Sequence, residues 1–143
     1  MAQSFPKITI IAVGKVKKSW IRDGVALYAK RLPEMDIVEI KDSGKVKEAD
    51  KLLSMIRTQD RLVILAEYGK ERDSEAFAKW LGQEAFGRLV LFIGGPEGIC
   101  DRLKKYPMIS LSTMTFPHEM ARLMLVEQLY RAKTILQNGH YHK

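Results

Sequence analysis

Apolar and polar positions change period repeatedly along this chain. Residues 7–13, Lys-Ile-Thr-Ile-Ile-Ala-Val, are β-branched and apolar almost throughout. Such a run predicts a strand buried on both faces, ended by Gly14. Over 18–32, Trp20, Ile21, Val25, Leu27 and Tyr28 recur at rough helical spacing, and Pro33 stops the helix. Residues 35–40 read as a second strand. Lys41 to Lys47 is polar, contains Gly44 and reads as a mobile loop. A second helix follows over 47–57, on Ala49, Leu52, Leu53 and Ile56. Arg61 to Ala66 is a third strand, ending at Glu67-Tyr68-Gly69-Lys70. Asp73 or Ser74 caps a third helix carrying Phe77, Trp80 and Leu81. Strands at 88–93 and 108–111 flank a helical turn near 99–105. Strand and helix alternate, with connections too long for hairpins. The pattern predicts an α/β fold: a mostly parallel five- or six-stranded sheet with helices on both faces, as one domain over 1–143.

The last element differs from the others. Over 117–137, Ala121, Met124, Leu125, Leu129, Ala132, Ile135 and Leu136 share one broad arc. Leu123, Val126 and Tyr130 make a second stripe. Two apolar faces on one helix predict one face on the core and the other on a second subunit, or else a helix buried wholly within its own domain. Glu127 and Arg131 pair at i, i+4, and Gly139 suits the left-handed position beyond the helix end.

Composition narrows the function classes. No segment approaches the ~20 apolar residues of a membrane span. The N-terminus lacks a secretory pattern, and the single cysteine, Cys100, permits no internal disulfide, so the expected setting is cytoplasmic. Cys100 reads as a small apolar filler rather than a nucleophile. The net charge of +7 favours an anionic partner, with nucleic acid the commonest. Basic residues interleave with Tyr106, Phe116, Tyr130 and Tyr141 in the C-terminal half.

Candidate chemistry lies beyond the strand ends. In open parallel sheets ligands bind outside the carboxyl ends of the strands, here the turns at 65–70, 94–98 and 111–116. Gly94-Gly95-Pro96-Glu97-Gly98 is neither a Walker loop nor a dinucleotide fingerprint. Pro96 removes an N–H and Glu97 adds negative charge, so a nucleoside ligand without phosphates, S-adenosylmethionine above all, fits better than a nucleotide. A plain tight turn is the competing reading. His118 stands where the last helix begins, a place for a general base or a hydrogen-bond partner. His140 and His142 have no partners that complete a metal site, so no metal is expected. Tyr141-His142-Lys143 offers stacking, hydrogen bonding and charge to an unstacked RNA base, unless it is simply a frayed terminus.

Four separated motifs carry a resemblance. They are Phe92 to Gly98, Leu111 to His118, Glu127 to Ala132 and the terminal Tyr141-His142-Lys143. Together with Ile11 to Lys15 and Leu65 to Lys70, they resemble the SPOUT, or α/β-knot, RNA methyltransferases. The similarity is closest to the small single-domain subgroup that methylates N3 of a pseudouridine in large-subunit ribosomal RNA on the assembled ribosome. The resemblance implies a C-terminal trefoil knot, a homodimer, and S-adenosylmethionine as cofactor. It implies a cofactor site on Leu65, Gly94, Gly95, Gly98, Leu111, Ser112, Thr113, Met114, Thr115 and Phe116. On that chemistry, either His118 or the tail residues Tyr141 and His142 would orient the target base and help remove its proton. Arg122, Arg131 and Lys143 would hold phosphates or steady developing negative charge, with Arg122 counted among the catalytic set and Arg131 and Lys143 as RNA contacts. A non-enzymatic ribosome-binding factor with a vestigial pocket is the alternative. A nucleotide-dependent oxidoreductase is disfavoured by the missing fingerprint.

Overall fold

The computed structural model describes residues 4–83 and 87–143. Residues 1–3, part of the N-terminus read above as no leader, lie outside the described residues. Five strands form one sheet: β1 (Lys7–Val13), β2 (Met35–Ile40), β3 (Arg61–Glu71), β4 (Arg88–Ile93) and β5 (Met108–Ser110). Their order is β2-β1-β4-β3-β5, and every neighbouring pair is parallel. Four α-helices connect them: α1 (Ser19–Ala29), α2 (Lys45–Met55), α3 (Ser74–Gln83) and α4 (His118–Leu136), with a 3-10 turn at Asp101–Leu103. No helix among the described residues is long and apolar enough to cross a membrane.

The alternation in β1 is realised on both faces. Ile8, Ile10 and Ala12 join a core with residues of α1, α3 and α4, while Ile11 and Val13 join one with α2 and the 3-10 turn. Cys100 packs against the second core, as the filler reading requires.

Three local expectations need correction. The segment 41–47 is not all loop, because α2 already begins at Lys45. Glu48 reaches back and accepts the N–H groups of Ser43 and Gly44 at 3.1 and 3.0 Å. Those are orphan donors of a helix start, and pairing them lets the helix begin two residues earlier. The α1 stripe is also narrower than its spacing suggested. Ile21 is buried, but Trp20 and Leu27 are 57% and 48% exposed. Finally, the left-handed residue after α4 is Asn138 (φ 58°), not Gly139. Gly139 N–H bonds Thr134 C=O at 2.7 Å and Asn138 N–H bonds Ile135 C=O at 3.1 Å. This is a Schellman stop shifted one residue early, with asparagine tolerating the conformation.

The strand β3 runs past its expected end. It continues through Glu67-Tyr68-Gly69-Lys70, with a register shift against β5 between Leu65 and Lys70. Gly69 makes this possible. A Cβ there would lie 2.7–2.8 Å from the backbone of Ile109. The bulge swings residues 66–68 out of the ladder and over the sheet end.

At the opposite end, Asp60 is 4% exposed and holds Arg88 with two bonds, Nε–Oδ1 at 3.1 Å and Nη2–Oδ2 at 2.5 Å. These bonds hold its carboxyl below the usual aspartate range, against the opposing effect of burial.

Two stability outcomes follow. Gly69→Ala should cost ~1–3 kcal/mol by forcing β5 away from β3, read from denaturant midpoints. Asp60→Asn should lower stability at neutral pH by about 2 kcal/mol. The folded pKa of Asp60 is depressed, so its contribution is present above its ordinary value of 3.8 and lost as pH falls through the folded one. The variant should therefore lose less stability than the parent on acidification below that point. A parallel acid limb in both proteins would remove Asp60 as its source.

Candidate active site

The carboxyl ends of β3 and β4 and the segment after β5 enclose a cavity of about 660 Å³. Each wall has a local cause. After β4, Gly98 N–H closes a turn on Gly95 C=O at 3.0 Å, and Gly98 takes φ +85°, which favours glycine. After β5, the Ser110 hydroxyl bonds the carbonyls of Glu67 and Ser112 at 3.1 and 2.8 Å, and Ser112 Oγ accepts the Met114 N–H at 3.0 Å. These bonds curl 111–116 back toward the end of β3. The Thr115 hydroxyl completes the join by bonding the Glu67 carboxylate.

Of the ten residues expected to hold a cofactor, nine line this cavity: Leu65, Gly94, Gly95, Gly98, Leu111, Ser112, Met114, Thr115 and Phe116. Thr113 stands outside the lining. His118 and Ala121, on the first turn of α4, close one side. Glu67 and Tyr68, within the turn at 65–70 expected to face a ligand, also line it, as does Ile99, which lies on the approach to the 3-10 turn and was not singled out in the sequence.

The donor set tests which ligand fits. No Lys or Arg appears in the lining, while one carboxylate, Glu67, does. Leu65, Leu111, Met114 and Phe116 supply apolar walls. Phosphates need donors and positive charge, and this cavity lacks cations. Its volume is that of an ordinary small-ligand pocket. A neutral or cationic nucleoside, held by backbone turns, fits it.

Arg122 is not at this site. Its side chain is buried, with Nη1 on Glu39 Oε2 at 2.5 Å and Nη2 on the Gly14 carbonyl at 3.0 Å. It ties α4 to the ends of β1 and β2. Burial of the side chain and these two bonds commit its Nη1 and Nη2 to the protein itself.

The tail residues gather elsewhere. Tyr141 donates its hydroxyl proton to Glu127 Oε2 at 2.7 Å, so the 3.3 Å contact with Tyr28 is donated by Tyr28. Arg131 bonds the same carboxylate at 2.7 Å and lies over the Tyr141 ring, 4.8 Å from its centroid. Tyr130 meets that ring edge-on at 4.8 Å. Arg131 Nη1 stands 3.1 Å from His142 Nδ1. An arginine can only donate, so Nδ1 accepts and the ring proton sits on Nε2, toward Glu75 at 3.6 Å. The tail is therefore docked, not frayed. Burial works to raise the Glu127 carboxyl, but bonds from Arg131 and Tyr141 outweigh it and hold it low. Burial, then the Tyr28 and Glu127 contacts, push the Tyr141 phenol well above its usual range. Tyr141 is thus a fixed proton donor at neutral pH.

The distance between these two groups matters most. His118 and Arg131 are thirteen residues apart on one helix, roughly 20 Å at 1.5 Å per residue. One chain does not bring the cavity and the tail cluster together.

The phenol provides a direct check. A group whose folded pKa is raised contributes stability below its unfolded value, here 10.0, and loses it as pH rises toward the folded one. Ultraviolet titration should show one tyrosine that ionises late, and Tyr141→Phe should remove it. Glu127→Gln should move it earlier. A late phenol surviving in Tyr141→Phe would place it on another tyrosine.

Comparison with known proteins agrees with this geometry. The family model described as "Predicted SPOUT methyltransferase" matches residues 7–142. A protein of Synechococcus sp. (strain RCC307) named ribosomal RNA large subunit methyltransferase H is 50% identical over 139 residues, covering 96% of this chain and 95% of its own. Proteins of that name from Parasynechococcus marenigrum (strain WH8102) and Prochlorococcus marinus (strain MIT 9303) are 49% and 50% identical over 136 residues. Both alignments cover 94% of this chain, with 94% and 91% of the relatives covered. With its sheet, its glycine turn and nearly its whole length accounted for, this chain belongs to the SPOUT methyltransferase family.

Proposed function

We propose that this protein transfers a methyl group from S-adenosylmethionine to N3 of a pseudouridine in large-subunit ribosomal RNA, on the assembled ribosome in the cytoplasm. The observation that carries this reading is the cation-free cavity built on Gly94–Gly98 and 111–116. It suits a nucleoside without phosphates, and the Glu67 carboxylate suits a cationic one. When bound, the cofactor supplies an electrophilic methyl on a sulfonium. The protein's part would be to hold N3 in line with that methyl and to take up the proton N3 gives up. Aligning the two reactants supplies much of the acceleration.

The proton needs a receiver. Tyr141 is held as a donor, and His142 already accepts from Arg131, so the assignment falls to His118, which lines the cavity. Tyr141 and His142 then orient the base, and Lys143 at the exposed terminus meets phosphate with Arg131. The vestigial-pocket alternative gains nothing from the structure, since the cavity is open and its turns are intact.

The separation of cavity and tail supports a homodimer with shared sites. Trp20 and Leu27 stand out from α1 seven residues apart, and between them Gly24 abuts Leu123 of α4. A second copy packed antiparallel on this α1–α4 face covers both side chains. It also brings each tail toward the other copy's cavity. The strand order, with β4 between β1 and β3, is compatible with the trefoil knot that the family resemblance implies, and the knot belongs to this same proposal.

Labelled methyl should pass to ribosomes lacking the modification and not to protein-free ribosomal RNA. Transfer to neither would sink the substrate assignment. For the shared site, His118→Ala and a chain ending at Gly139 should each lack activity, and mixing them under subunit exchange should restore up to about a quarter of it, since only heterodimers carry one intact site. A mixture as dead as its components would mean that cavity and tail act within one chain.

A further inference from the structure

A second cavity, of about 310 Å³, lies beside the first and shares the walls Leu111 and Phe116. It opens between the ends of β3 and β5, the start of α3 and the middle of α4. The geometry points to this cavity as the site for the nucleotide adjoining the methylated one, with its phosphate on Lys70 and Arg72. The inference rests on the reading of RNA as substrate.

The two cavities differ in chemistry. The first has no cation, whereas the second has Lys70 and Arg72, with Ser74 and Gln128 as further polar groups. Arg72 lies over the Trp80 ring, 4.9 Å from the centroid, and its Nη1 is shielded from solvent without a hydrogen-bond acceptor among the described residues. A shielded N–H of a full cation is costly to leave unpaired, and an anionic oxygen would satisfy it. Asp73 also lines the space, but its Oδ1 accepts the Ala76 N–H at 2.8 Å and caps α3. Ser74 and Gln128 bond each other at 2.7 Å. Two cations against one committed carboxylate leave the cavity positive. Phe77, Phe116 and Met124 supply the apolar wall that a base or sugar needs.

Position along α4 gives the order. Ala121 lines the first cavity, Met124 and Gln128 line the second, and Arg131 holds the tail, all on one side of the helix. The step from the first cavity to the second is roughly 5–10 Å along the axis. That suits neighbouring nucleotides splayed out of a single strand.

The test uses Lys70→Gln with Arg72→Gln in the full-length chain, and Arg72→Lys alone as the conservative control. Calorimetric affinity for S-adenosylmethionine should match the parent, which also shows the variant is folded. The KM for ribosomes should rise about tenfold with kcat little changed, and the salt dependence of kcat/KM should flatten by about one to two in log–log slope. Arg72→Lys should recover much of the loss. Unchanged KM and salt slope with intact cofactor binding would overturn the site, and so would cofactor affinity falling in step with KM. Should the parent itself fail to methylate ribosomes, the substrate reading fails separately, and a direct arm decides this cavity. A short single-stranded oligoribonucleotide should quench Trp80 in a Trp20→Phe background, and Arg72→Gln should abolish that quenching. No quenching in the parent background would overturn the proposal.

Discussion

Everything that this molecule presents to a ligand depends on how α4 lies on the sheet. Leu125, Leu129, Ala132 and Leu136 pack into the core shared with β1 and β4, the three leucines each contributing roughly 1.5–3 kcal/mol of burial free energy. Arg122 adds a directional tie, because its guanidinium is held by Glu39 and the Gly14 carbonyl. The second apolar stripe is also used inside the chain. Val126 is buried, Leu123 meets Gly24, and Tyr130 meets Tyr28. Both faces of α4 are thus engaged within one copy, and on α1 it is Trp20 and Leu27 that stay exposed.

A rigid helix fixed at both ends acts as a spacer. Its first turn closes the first cavity, its middle borders the second cavity, and its Glu127 and Arg131 hold the C-terminal tail. Because all three are mounted on one element, their separations do not depend on loops. The roughly 20 Å between His118 and Arg131 is a property of helix geometry.

Charge is sorted along the same axis. The first cavity has no Lys or Arg and one carboxylate, its neighbour has two cations, and the tail combines Arg131, His142 and Lys143 with tyrosines. The +7 excess in composition is therefore absent where a cationic methyl donor would sit. It is available where phosphates would pass. A uniformly basic surface would bind RNA without placing any one base.

Period and turn chemistry were sufficient to read the strand–helix alternation, the parallel sheet and the three turns that enclose the cavity, while the individual cofactor residues came from the family resemblance, nine of those ten lining the cavity. Those features rest on local preferences: double-faced burial of β1 and β4, glycine at Gly98, and proline and serine turns after strands. The sequence motifs alone also carried the family. Only the tertiary structure showed that Arg122 is buried, that β3 runs on past Gly69 to Glu71 with a shifted register against β5, and that the tail docks on Glu127. Each of these depends on contacts between residues far apart in the chain. Arg122 meets Gly14, Gly69 meets Ile109, and Tyr141 meets Tyr28. A linear pattern records which side chains can bury or donate, but packing decides which partner each one finds.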